Sequence, residues 1–189
     1  MILCERWASW PQAVVDTTVA ARHAHCAKGG GMSAPITIRR ATLEDYPGFL
    51  SVARETHEHH VTLLPDLFRS AEVVVPEEYF AGLVTGDESC IFLAERDGVI
   101  VGYATLHIRH ALYDIQVPRT AGFIDNFGIA EACRRMGVGR LLFEACRERA
   151  KAMGASSLDL DCWEANQGAI RFYERLGMRV NRRMFTLDL

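Results

Sequence analysis

Two short stretches of the chain carry residues in an order that chemistry can use. The first is Arg134, Arg135, Met136, Gly137, Val138, Gly139 and Arg140, which follows an apolar run and opens a helical pattern. At such a turn the first backbone N–H groups of the helix lack internal partners and lie at the positive end of its dipole, so they attract an anion. Glycine lets the backbone come close to that anion, and the arginines add charge. The turn is not a nucleotide P-loop, because Arg140 stands where that motif needs lysine, and it is not a dinucleotide fingerprint, because Leu142 occupies the third glycine position. A plain strand-to-helix turn with glycines for steric fit is the other reading of these residues. The second stretch runs from Asn166 to Met178, and its Asn166, Ala169 and Tyr173 share one helical face, since seven residues make nearly two turns. A third group, His57, His59 and His60, has two readings. One is a metal or proton-transfer site, although no third ligand is evident; the other is a solvated helix end, where histidine suits the negative pole.

These residues need elements to hold them. The alternation from Ile36 to Ala41 predicts a strand, and Thr42 with Asp45 three residues on predicts a capped helix running to about His60. Pro65 opens a loop. Pro76, Glu77 and Glu78 start a second helix that closes near Gly86. A strand over Cys90–Arg96, a hairpin at Asp97-Gly98 and a partner strand over Val99–His110 follow. After a loop over 111–121, a strand spans Gly122–Ala130 and an amphipathic helix spans Gly137–Met153, stopped by Gly154. A strand over Ser157–Trp163, a helix over Asn166–Leu176 stopped by Gly177, and a last extended strand over Met178–Leu189 complete the order. The strands flanking helix 137–153 must be parallel, because a helical crossover joins them; the rest of the sheet is expected to be antiparallel.

The 189 residues suit one domain, with 49% apolar and 24% charged residues and a net charge of −3. That balance speaks against a general nucleic-acid binder, and no apolar run is long enough to span a membrane. None of the six cysteines forms a CxxC pair or a zinc-finger spacing with histidine, so they read as buried reduced thiols of a cytoplasmic protein. Residues 1–31 differ from the rest. They have no sustained period, end in three glycines, and lack the basic start and unbroken apolar core of a signal peptide. They are expected to be a disordered leader or the product of an upstream start, with a single domain over 32–189.

Taken together, the 134–140 turn and the Asn166–Met178 stretch resemble the two hallmark motifs of the GNAT superfamily of acetyl-CoA-dependent N-acetyltransferases. Those motifs are [QR]-x-x-G-x-[GA], then Asn-x-x-Ala-x-x-Phe-Tyr-x-x-x-Gly-Phe; here Met178 replaces the final Phe. The resemblance covers about Ile36 to Leu189. It implies an α/β (α+β) fold: a mixed, mostly antiparallel sheet flanked by helices, with one central parallel pair splayed at the cofactor site. It also implies that the backbone N–H groups of 134–140 hold the CoA pyrophosphate. Phe127, Gly128 and Ile129 would line the pantetheine arm, with Gly128 suited to a bulge, and a backbone N–H there would stabilise the oxyanion. Asn166 and Ala169 would contact the arm, and Phe172 would pack beside it. Tyr173 resembles the family's general acid, since a phenol is protonated at neutral pH.

Ile124 to Ile129 resembles the Leu-Glu-Asp-x-x-Val strand of members that acetylate small amines and polyamines. Asp125 then stands where their glutamate acts as base. It lies in period with Phe123 and Phe127 and so faces the cleft, but it is one methylene shorter than glutamate. Direct proton abstraction, a water relay, and a merely positioning role all stay open. His107 and Glu164 are candidates for proton transfer and acceptor contact, and Tyr113 and Asp114 for a loop over the acceptor. Cys133 reads as structural, because the direct transfer needs no acyl-enzyme. The expected partner is a primary amine of a small molecule or peptide, with no metal and with a homodimer as the common family state. A non-catalytic CoA-binding module and a transferase of larger acyl groups are the alternatives.

Overall fold

The computed structural model describes residues 35–111, 115 and 117–187. The proposed leader, and Tyr113 and Asp114, lie outside these. The chain runs β1 (Thr37–Arg40), α1 (Tyr46–Leu63), α2 (Glu77–Thr85), β2 (Ser89–Arg96), β3 (Val99–His110), β4 (Thr120–Ile129), α3 (Val138–Ala152), β5 (Ser157–Leu160) and α4 (Gln167–Arg175). The five strands form one sheet in chain order, antiparallel except for the parallel pair β4–β5.

Local chemistry accounts for most of these boundaries. Asp97 and Gly98 both take positive φ, 53° and 73°, which is the backbone of the tight turn that joins β2 to β3. Gly154 and Gly177, at φ 78° and 86°, end α3 and α4 in the left-handed region. The start of α1 differs from the sequence expectation. A single 3-10 turn over Leu43–Asp45 precedes the helix. The Asp45 carboxylate accepts from the Thr42 N–H at 2.8 Å and hydroxyl at 2.9 Å, while the Arg39 guanidinium donates to both its oxygens at 2.7 Å.

The sheet separates two cores. On one face α3 packs Val138, Leu142, Phe143 and Cys146 against Ala104, Leu106 and Ile124. On the other, Phe49, Val52 and Ala53 of α1 and Phe80 and Leu83 of α2 cover Ile91, Leu93 and Tyr103. Aromatic rings bind this second core: Phe49 sits 4.9 Å from Phe80 and 4.7 Å from Tyr103 between centroids.

Three expectations need correction. The β5 strand ends at Leu160, not Trp163. The last strand does not form: residues 178–187 have no regular structure, and Val180, Met184, Phe185 and Leu187 are exposed. The consecutive Arg182 and Arg183 break the alternation a strand would need there. The bulge in β4 is not at Gly128, which pairs regularly with Tyr103. It lies at Asp125 and Asn126, which together oppose Thr105 between the pairs Ala104↔Phe127 and Leu106↔Ile124. The Thr105 hydroxyl, almost fully buried, pins it by accepting the Asn126 N–H at 2.8 Å. Gly128 is glycine for another reason: a Cβ there would collide with Thr56 Oγ1 and the Tyr103 ring.

Candidate active site

The parallel ladder of β4 with β5 runs only from Ala121↔Ser157 to Ile124↔Leu160. β5 ends at Leu160, and β4 continues to Ile129 paired only with β3. The β5-facing edge of residues 125–129 therefore has no strand partner among the described residues. The space along this edge is the candidate cleft, and backbone donors and acceptors of β4 form its wall.

The bulge decides what faces each mouth of this cleft. Ile124 and Phe127 both pack on the α3 side. Asp125 turns to the α1/α2 side, so the expectation that it shares a face with Phe127 is corrected, while Phe123 does share its face. The Asp125 Oδ2 atom accepts from the Tyr79 hydroxyl at 3.2 Å and from Asn126 Nδ2 at 3.1 Å, and His107 Nε2 lies 4.0 Å away. Burial, the Asp125 charge and this hydrogen bond push the Tyr79 phenol up to about 12, so it stays protonated and keeps donating. Burial also lowers the His107 pKa, against the pull of Asp125. A histidine below its ordinary value near 6.5 is mostly neutral at pH 7, able to take a proton.

Tyr173 stands on the other side of the sheet with Phe127 and Phe172, its ring 6.3 Å and 5.3 Å from theirs. Burial is the main reason its pKa rises well above that of free tyrosine, with Cys162, Cys146 and Tyr103 adding to it. A phenol in this state donates a hydrogen bond at neutral pH and resists becoming a phenolate.

The turn from Arg134 to Arg140 puts arginines and backbone N–H groups at the start of α3. Arg135, though not glycine, has φ 63°, and Gly137 has φ 85° at the N-cap of α3. The first helical bond is Leu141 N–H to the Gly137 carbonyl at 3.2 Å. Among the described residues, that leaves the N–H groups of Val138, Gly139 and Arg140 as the unpaired donors of the first turn. Gly139 is buried, and a Cβ there would meet Ile129 Cδ1 at 2.9 Å and Phe172 Cζ at 3.0 Å. Arg134 reaches back to the Ile129 carbonyl at 3.3 Å, tying the turn to the end of β4. Arg135, Met136 and Arg140 are exposed around it. Asn166 caps α4, its Oδ1 accepting the Ala169 N–H at 3.1 Å.

Other candidates have structural work. His57 bonds through Nε2 to the Arg69 carbonyl at 2.8 Å, and His60 stacks on Phe68 at 5.6 Å, so both fasten the loop after α1. His59 lies 6.3 Å from His60 between ring centroids. Phe68 in turn meets Trp163 edge-on at 5.5 Å, beside exposed Glu164. Cys90, Cys133 and Cys146 are buried as read from sequence, but Cys162, just past β5, is exposed. Sequence reasoning missed Tyr79, which only the packing of α2 brings to Asp125. It also missed Arg109, whose i+2 spacing from His107 along a strand was the available signal.

The chain is similar to known proteins. The family model described as the acetyltransferase (GNAT) family matches residues 52–178. An uncharacterized N-acetyltransferase from the pepI 3' region of Lactobacillus delbrueckii subsp. lactis is 25% identical over 156 residues, covering 80% of this chain and 90% of that protein. A solved structure of a tetramutant of the BH1408 protein from Bacillus halodurans is 32% identical with a TM-score of 0.77, covering 81% of this chain and 99% of that one. The aminoglycoside N-acetyltransferase AAC(6')-Iy, solved in complex with CoA, shares the fold at 18% identity with a TM-score of 0.63, over 82% of this chain and 95% of that one.

Proposed function

Since the chain belongs to the acetyltransferase (GNAT) family and is an enzyme of the N-acetyltransferase type, we propose that it moves an acetyl group from acetyl-CoA directly to a primary amine of a small molecule or peptide. The observation that carries this reading is the end of the β4–β5 ladder between two different chemistries. Unpaired first-turn donors of α3 lie on one side and the Asp125 cluster on the other.

When bound, acetyl-CoA supplies an activated acyl thioester. The N–H groups of Val138, Gly139 and Arg140, with Arg135 and Arg140 nearby, would hold its pyrophosphate. The free edge of Phe127, Gly128 and Ile129 would bond the pantetheine arm, with Asn166 and Ala169 at the start of α4 beside it. Phe127, Phe172 and Tyr173 form a closed ring cluster, with centroids 5.3 to 6.3 Å apart, which favours a small acyl group over a long one. Tyr173 would pass its phenol proton to the sulfur as the C–S bond breaks and regain a proton from solvent.

On the opposite side Asp125 takes the proton of the incoming ammonium, either directly or through water. Tyr79 and Asn126 fix its carboxylate, and neutral His107 is placed to pass the proton on. A cytoplasmic setting belongs to the same reading, supported by the buried free thiols. No described helix is long and apolar enough to cross a membrane. A homodimer is supported by the exposed Met184, Phe185 and Leu187, apolar surface that a second copy would cover.

The test is release of free thiol from acetyl-CoA against a panel of amines, alongside thermal unfolding with and without acetyl-CoA. Stabilisation with amine-dependent thiol release supports the proposal. Stabilisation without thiol release would leave a CoA-binding module, and no stabilisation at millimolar acetyl-CoA would overturn both.

A further inference from the structure

Arg109 lies on the cleft face of β3, in phase with His107, and its guanidinium carbon sits 3.2 Å from the centroid of the Phe123 ring. Phe123 precedes Asp125 by two positions on the same face of β4, so the guanidinium stands roughly 7 Å along the strand from Asp125. Its side chain is exposed. Among the described residues it makes no hydrogen bond and no ion pair.

The other carboxylates on this face have hydrogen-bond partners of their own. Asp159, opposite Phe123 on β5, pairs with Arg119 at 2.9 Å, and Asp161 pairs with Arg182 at 3.5 Å. Asp125 holds hydrogen bonds from Tyr79 and Asn126. Arg109 lies against an aromatic plate, partly buried on that side and within electrostatic reach of Asp125 and Asp161, but hydrogen-bonded to neither. Stacking on a ring leaves the guanidinium N–H fork free at its edge, the shape that takes a carboxylate or phosphate through two bonds.

We infer that the acceptor is a primary amine that also carries an anionic group, a carboxylate or a phosphate, bound by Arg109 while the amine meets Asp125. The two groups on the substrate are set apart by the spacing of Asp125 and Arg109 on the sheet. A diamine fits worse, because its second ammonium would face Arg109. This inference rests on the acetyl-transfer reading of the same cleft.

The experiment compares 4-aminobutanoate, O-phosphoethanolamine, butylamine and 1,4-diaminobutane as acceptors for the wild type, Arg109→Gln and Arg109→Lys. Expected is a kcat/KM at least about tenfold higher for one anionic amine than for butylamine, from a charge-assisted bond. In R109Q the KM of that amine should rise about tenfold more than the KM of butylamine, and R109K should recover part of the loss. The carboxylate and phosphate arms separate the two sources of negative charge. Equal or better use of butylamine or the diamine overturns the inference, and so does an equal loss for all amines in R109Q.

Binding of the product 4-acetamidobutanoate against N-butylacetamide, read as a thermal shift, tests the anion site without turnover. A shift confined to the anionic product and lost in R109Q supports it; equal shifts overturn it. Absence of turnover with every amine would strike the acetyl-transfer reading, while this binding measurement still decides the anion site.

Discussion

Asp125 and Phe127 are two residues apart on β4 and face opposite sides of the sheet, because the bulge opposite Thr105 inserts one extra residue between Ile124 and Phe127. In a regular strand they would share a face. The reversal gives the cleft an acidic side, with Tyr79 and His107, and an aromatic side, with Phe172 and Tyr173.

Replacing Asp125 tests the acidic side. Asp125→Asn keeps an oxygen for the Tyr79 hydroxyl, so thermal stability should change little. Turnover should fall about 10²-fold, the scale of a lost general base. The fall should be steepest at low pH, where deprotonation of the amine limits the rate. A pH–rate profile parallel to that of the wild type would leave Asp125 a positioning role only.

Tyr173→Phe tests the opposite side. Turnover should drop by about 10²-fold while acetyl-CoA affinity stays near that of the wild type, because the ring contacts with Phe127 and Phe172 survive. Single-turnover kinetics with a separate binding titration reads the two effects apart. Unchanged turnover would remove Tyr173 as the acid.

The glycines of the turn should fail differently. Gly139→Ala drives a methyl into Ile129 and Phe172, and should cost about 1–3 kcal/mol in urea unfolding. Gly137→Ala meets no neighbour but is held at φ 85°, and should cost about 1–2 kcal/mol through backbone strain alone. If Gly139→Ala proved harmless to both stability and acetyl-CoA binding, the close packing of α3 on Phe172 would not matter.

Asp45 gives the fold a pH dependence away from the site. The Arg39 guanidinium holds its carboxyl well below the usual carboxylate range, with Thr42 helping through two hydrogen bonds. A carboxyl depressed on folding contributes stability that is present above its unfolded value of 3.8 and is lost as pH falls from there towards the folded value. Urea midpoints of the wild type should fall more between pH 5 and pH 2.5 than those of Asp45→Asn. Equal falls would mean the Arg39–Asp45 pair adds nothing measurable.

Much of the fold was legible because its signals are local. Asp97-Gly98 predicts its own turn, Gly154 and Gly177 stop their helices, and β3 spans Val99–His110 as the partner strand after that turn. The last strand does not form because an extended, apolar-rich segment needs a free ladder to join. Residues 178–187 carry apolar side chains without a ladder to join. The histidines at 57 and 60 illustrate the same gap, since Arg69 and Phe68, which hold them, lie beyond the helix that carries them.

By itself the sequence determined the element order as far as α4, the glycine turn at 134–140 and the capped helix that follows Asn166. These depend on residues within one or two turns of each other. The tertiary structure alone decided which residues meet across the cleft. An extra residue opposite Thr105 reverses a strand's facing without changing the pattern of residue types. Nothing near Tyr79 in the chain records that α2 brings it to the face that Asp125 occupies.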